Sequence, residues 1–240
     1  MGRFTGGQSH NIIPSDASAT LLIHPEDRGR LADRVAELGQ QLVEKHWESD
    51  PGLRLTLAPA EVPEQIWIPG CAHEVLTLVS GLHHGVFAWH RDFPQVPASS
   101  ANAARLWVEE EQIQVGAFLR CTTREQEEAL ASDHRALAER CGFAGRATGY
   151  PGWAGDSSNP LARMMAQALR EQTGTEAEIT AVHVGLEPSI LGTKAPDMVM
   201  AMSGPDILDA HSTDERANLD TLPRYAAFLA GTLEKLSQMR

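Results

Sequence analysis

The run Met198-Val199-Met200-Ala201-Met202 ends abruptly at Ser203-Gly204-Pro205, and an uninterrupted apolar stretch followed by a chain breaker leaves few folds open. Five successive apolar residues suit a strand buried on both faces, as in a parallel sheet, and the breaker turns the chain out at its carboxyl end. Open α/β sheets hold their ligands at that end. The emerging loop carries His211, Ser212, Thr213, Asp214, Glu215 and Arg216. A helix is predicted next, with Leu219, Leu222, Ala226, Leu229, Leu233 and Leu236 at helical spacing on one inward face. A histidine held between a buried strand and a docked helix has the fixed direction that a zinc ligand needs; taken alone, it is equally a loop histidine with ordinary hydrogen bonds.

The rest of the chain can support such a core. Its 240 residues, 42% apolar, suffice for one large or two modest domains. A net charge of −12, spread along the chain, argues against nucleic acid and anionic membranes as partners. There is no membrane-length apolar run and no signal-peptide core at the start, so a cytoplasmic protein is expected. Cys71, Cys121 and Cys141, widely spaced and odd in number, read as reduced thiols.

Taken in order, residues 4–13 and 17–23 read as strands separated by Pro14-Ser15-Asp16. Pro25, Glu26 and Asp27 open a helix whose stripe is Leu31, Val35, Leu38 and Leu42, closed by His46 and Trp47. A strand over 53–57 and a helix over 71–82, with Val75, Leu76, Val79 and Leu82 inward, follow. His83 and His84 are adjacent, so in an extended segment they point apart and do not share an ion. His90 and Asp92 read as loop residues. Strands over 104–108 and 113–119 flank a charged turn at Glu109-Glu110-Glu111, and a helix over 124–141 stops at Gly142, with Thr122 or Thr123 as its cap. Residues 150–160, rich in Gly, Pro, Ser and Asn, mark a boundary, giving an expected α+β domain over 1–149 and a second over 150–240. The second reads as a helix over 161–172, a strand over 179–184, a glycine-bearing loop, the strand at 198–202 and the final helix, an order that favours a mostly parallel sheet.

Five short segments, in this order, carry a family resemblance: Tyr150-Pro151-Gly152-Trp153, His183-Val184-Gly185-Leu186-Glu187, Pro196-Asp197-Met198, Ser203-Gly204-Pro205-Asp206-Ile207 and Ala210-His211-Ser212-Thr213-Asp214-Glu215-Arg216. Asn11-Ile12-Ile13-Pro14 and Phe118-Leu119-Arg120-Cys121-Thr122 add to it. Together they resemble the carboxyl-terminal half of the aminoacyl-histidine dipeptidases, or cytosolic non-specific dipeptidases, of the zinc-peptidase family that includes the glutamate carboxypeptidases. The resemblance implies an α/β fold: an α+β lid or dimerisation domain, then the carboxyl-terminal part of a mostly parallel-sheet catalytic domain. It implies hydrolysis of Xaa-His and other dipeptides by a metal-activated water at two divalent ions, zinc, manganese or cobalt.

Within that resemblance His211 is a metal ligand, and Asn11 and Arg120 are substrate contacts, Arg120 for the peptide carboxylate, which suits a planar guanidinium. His183, Gly185 and Glu187 stand on a loop beside the site. Glu187 either orients the substrate amino group or a ligand, or is an exposed loop glutamate. The family's His-x-Asp, bridging aspartate, glutamate pair and further acidic ligand belong to an amino-terminal half without counterpart here, and one histidine cannot hold a catalytic metal. No catalytic residue is therefore assigned, and the implied partners are that missing half or a second chain, a dipeptide, and a second copy across the lid. The alternative is a non-catalytic dimerising or peptide-binding remnant. Pro188-Ser189 departs from the family's usual Cys-Gly.

Overall fold

The computed structural model describes residues 1–210 and 212–238; His211 lies outside the described residues. Two compact units interleave along the chain. The first takes in Met1–Leu82, Asn102–Phe118 and Leu137–Ala144, and the second takes in His83–Ala101, Leu119–Ala136 and the described residues from Gly145 onward.

In the first unit β1 (Arg3–Gly6) pairs antiparallel with β2 (Ala17–Thr20), Arg3 opposite Thr20, and Gly6 also faces Leu106 of β4 (Pro97–Glu109). Gly7 follows at φ 70°, where a methyl group would overlap the Ala104 carbonyl, so both backbone sign and space demand glycine. A 3-10 turn at Pro25–Asp27 leads into α1 (Arg28–His46), which half-buries Leu31, Val35 and Leu42 and leaves Leu38 exposed. Helix α2 (Pro69–Gly81) buries Val75 and Leu78; Leu76, expected inward, is exposed. No strand forms over 53–57, which lies against α1 beside Gly39 with no neighbouring strand to bond. The expected hairpin is present and longer, β4 turning into β5 (Gln112–Cys121) through Glu110 (φ 48°) and Glu111 (φ 65°). Two left-handed residues make the tight turn whose twist matches that of the strands, here without the usual Asn-Gly.

In the second unit β3 (Gly85–Trp89), absent from the sequence reading, runs antiparallel to the start of β4 with an irregularity between Val86 and Trp89. Helix α3 (Arg124–Arg140) ends before Gly142 at φ 75°, as expected. Helix α4 (Pro160–Thr173) is capped by Asn159, whose Oδ1 accepts from the Leu161 and Ala162 amides at 2.9 and 3.1 Å, and it closes on Gly174 at φ 70°. The same asparagine's Nδ2 donates to the Met200 carbonyl at 2.7 Å, tying the cap to the 198–202 segment. Asn159→Ala should therefore cost about 2 kcal/mol in urea unfolding, one part cap and one part lost tether. Asn159→Asp, which caps but cannot donate, should lose roughly half of that. Equal losses for both variants would disprove the double role.

Helix α5 (Glu187–Lys194), the small antiparallel pair β6 (Ile207–Leu208) and β7 (Arg216–Ala217), a 3-10 turn at Leu219–Thr221 and α6 (Leu222–Gln238) complete the unit. Helices α4 and α6 pack together, burying Ala168, Phe228, Gly231 and Thr232, with Lys235 bonded to Glu171 at 2.7 Å. A mixed α/β fold is thus present, but two expectations fail. Residues 179–184 and 198–202 are not strands: a strand is a hydrogen-bonded ladder, and no described strand bonds to either segment. Met198, Val199 and Met202 are half exposed rather than buried on both faces. The predicted α6 stripe of Leu219, Leu222, Ala226, Leu229, Leu233 and Leu236 also lies outward, because the helix docks through the neighbouring arc of Tyr225, Phe228, Gly231 and Thr232. The β1–β2, β1–β4, β3–β4 and β6–β7 ladders are all antiparallel.

Candidate functional site

Arg120 is the penultimate residue of β5. Its strand end is held from two sides. The Thr122 amide donates to the Ala98 carbonyl at 2.8 Å, and Gly152 of the Tyr150-Pro151-Gly152-Trp153 segment lies so close to the Cys121 carbonyl that a methyl group would overlap it. Thr123 then starts α3, its Oγ1 accepting from the Gln126 amide at 3.3 Å.

His183 stands beside this strand end. Its Nε2 is 2.7 Å from Ser100 Oγ, and the Pro97 carbonyl accepts from the ring as well. With the other nitrogen donating to a carbonyl, the neutral ring carries its lone pair at Nε2, so the Ser100 hydroxyl donates. Burial holds the His183 imidazole below its ordinary range, the Arg120 guanidinium pushes it further down, and the Pro97 bond opposes both. Two of the residues singled out by the sequence are thus electrostatically coupled in one unit, and Ser100 joins them. Ser100 was missed because its partner is 83 residues away and its flanking run of small residues reads as a lead-in rather than as β4.

The sign of the coupling follows. The His183 pKa is lowered from 6.5 in the folded chain, so as pH falls through 6.5 the unfolded chain takes up the proton first. The contribution to stability is intact above pH 6.5 and is lost as pH drops toward the folded value. In an NMR titration the His183 ring should show a midpoint below 6.5, and Arg120→Gln should raise it without restoring 6.5, since burial is the larger cause. A midpoint unmoved by that substitution would dissolve the pairing.

Gly185 packs under the Tyr150 ring, where a side chain would strike the phenol. Glu187 is not a loop residue: it opens α5, exposed, with an acidic charge favourable to the helix amino terminus. Pro188 and Ser189 behind it are buried, and Ser189 Oγ donates to the Leu186 carbonyl at 2.6 Å. Asn11 belongs to the other unit. There its Oδ1 accepts from Ser9 Oγ at 2.7 Å on an exposed turn, which Asn102 pins by donating to the Ile12 carbonyl at 2.8 Å.

The described neighbours of His211 form a tight loop between β6 and β7. Asp209 adopts φ 53°, Arg216 pairs with its carboxylate at 2.7 Å, and Ser212 donates to its carbonyl at 2.7 Å. The following turn is capped by Asn218, which accepts from the Asp220 amide at 3.2 Å. His90 and Asp92 have structural work: His90 Nδ1 accepts from the Asp92 and Phe93 amides, and Asp92 accepts from the Ser157 amide and hydroxyl. Among the described residues no three His, Cys, Asp or Glu side chains converge as a metal site, so this donor set does not by itself fit a catalytic ion.

No protein-family model matches the sequence. The cytosol non-specific dipeptidase of Escherichia coli (strain K12) is 23% identical over 234 residues, 97% of this chain and 48% of that protein. The crystal structure of aminoacylhistidine dipeptidase from Vibrio alginolyticus shares the fold with a TM-score of 0.82 at 22% identity, again covering 97% of this chain and 48% of the other. The chain therefore spans about half the length of the relatives it matches. No helix of the described residues is long and apolar enough to cross a membrane. The motif resemblance, the sequence identity along nearly the whole chain and the shared fold together make this chain a homologue of the cytosol non-specific dipeptidases over about half of their length.

Proposed function

We infer that the chain is one part of a cytoplasmic, metal-dependent dipeptidase, supplying substrate recognition to a hydrolytic centre completed by another polypeptide segment. The observation that carries this reading is the coupling of Arg120 to a neutral His183, bonded to Ser100, at the clamped end of β5. A guanidinium beside an uncharged imidazole is a cationic, hydrogen-bonding place for a dipeptide's terminal carboxylate. In this reading Asn11 contributes a further substrate contact, Gly185 and Glu187 border the site, and residues 1–149 also mediate pairing of two copies. His211 contributes one ligand to zinc, manganese or cobalt, whose remaining ligands come from the other segment. No catalytic step is assigned to this chain's described residues.

The absence of a three-donor cluster among the described residues favours a second reading, a peptide-binding module without hydrolysis. Turnover of Xaa-His dipeptides, measured with the 240-residue chain alone and with the complementary part of the enzyme, separates the two. The dipeptidase reading expects activity only from the combination, abolished by a chelator. Dipeptide binding with no turnover in the combination supports the module, and metal-dependent turnover by the chain alone refutes the need for a second segment.

A further inference from the structure

Helix α6 presents two apolar arcs, and only one is used. Phe228, Gly231 and Thr232 pack inward, while Leu222, Leu229, Leu233 and Leu236 face out, Leu233 at 65% exposure. Nearby, residues 177–184 show the two-residue period of a strand. Ala177, Ile179, Ala181 and His183 are partly buried, and Glu178, Thr180, Val182 and Val184 are exposed, yet no ladder forms. A groove of about 570 Å³ opens between this segment, residues 200–206 and helices α4 and α6. An unpaired extended edge beside exposed Val182, Val184, Met198 and Val199 is a surface that folded chains ordinarily cover.

We propose that this face docks the part of the dipeptidase-like polypeptide that lies outside the match, which pairs its β-strands with the backbones of 177–184 and 198–202 and covers the outward leucines of α6. This placement rests on the two-part reading of the function. The relatives extend for about as much length again as this chain matches, so a segment of suitable size exists in them. A second copy fits less well, since two surfaces of a chain with net charge −12 repel, and Glu178 stands on the outward side of the strand-like segment.

The test applies hydrogen exchange and cross-linking to the polypeptide as isolated from its own cells, with the purified 240-residue chain as reference. Amides of 178–184 and 198–202 should exchange about 100-fold or more slowly compared with the reference. A photo-cross-linker at position 233 should capture sequence homologous to the uncovered part of the dipeptidases. Val182→Lys combined with Leu233→Lys should weaken the association about 100-fold while leaving the thermal midpoint of the reference chain unchanged, because both side chains are exposed. Unprotected amides, cross-links between two copies, recovery of an uncomplexed 240-residue monomer, or unaltered association of the double variant would each overturn the proposal. Docking without dipeptide turnover would instead remove the peptidase reading and leave the face intact, whereas turnover without protection would remove the face alone.

Discussion

Gly152→Ala is expected to destabilise the chain by about 3 kcal/mol, because the added methyl would occupy the space of backbone atoms rather than of a side chain that can rotate away. The obstructing groups are the Cys121 carbonyl and the Thr122 carbonyl carbon, at the point where β5 gives way to α3. Relief requires the Tyr150–Trp153 turn to lift from the strand end or the strand end itself to shift, and Arg120 immediately precedes that end. Two readouts should move together: a lower urea midpoint, and an upward displacement of the His183 titration as the guanidinium retreats. Gly185→Ala is the built-in contrast. The obstacle there is the outer end of Tyr150, a half-exposed ring free to swing, so the expected cost is nearer 1 kcal/mol. If the two alanines prove equally mild, the turn does not clamp the strand.

The second large effect concerns Arg120 itself. In the assembled dipeptidase, Arg120→Gln should lower kcat/KM by about 100-fold, mostly through KM, since a charge-assisted bond to a carboxylate is worth roughly 3 kcal/mol where water is excluded. Arg120→Lys should recover part of that loss but not all, having the charge without the two-pronged geometry. Ser100→Ala should be milder, several-fold at most, because it removes only the donor to His183 and leaves the Pro97 bond in place. Steady-state kinetics on an Xaa-His dipeptide decides it. An unchanged KM for Arg120→Gln would mean that the guanidinium does not meet the substrate.

The helices were legible because their signals are local. The helix at 69–81, the glycine stop after α3 and the asparagine before α4 are properties of a few neighbouring residues, and the hairpin at Glu110-Glu111 announced itself by flanking alternation. What the sequence obscured depends on distant partners. Residues 177–184 keep the burial rhythm of a strand without being one, since composition records a preference for extended backbone and says nothing about what lies alongside. The amino-terminal half of β4, Pro97-Ala98-Ser99-Ser100-Ala101, has little strand propensity and is held by its pairing with β3. Helix α6 offered two adjacent apolar arcs, and periodicity alone cannot say which one meets α4. The coupling of His183 to Arg120 followed from the family motifs only as co-membership in a site; its Ser100 and Pro97 bonds required coordinates.

Cys121 lends its carbonyl to the contact with Gly152, and its thiol is pushed up to about 11, chiefly by burial and further by Glu127. At neutral pH only on the order of one such group in ten thousand is ionised. Alkylating reagents, which react through the thiolate, should pass this position by while the turn is seated. The sulfur is thus an internal gauge: the rate at which iodoacetamide modifies it reports how often the strand end carrying the neighbouring guanidinium comes loose.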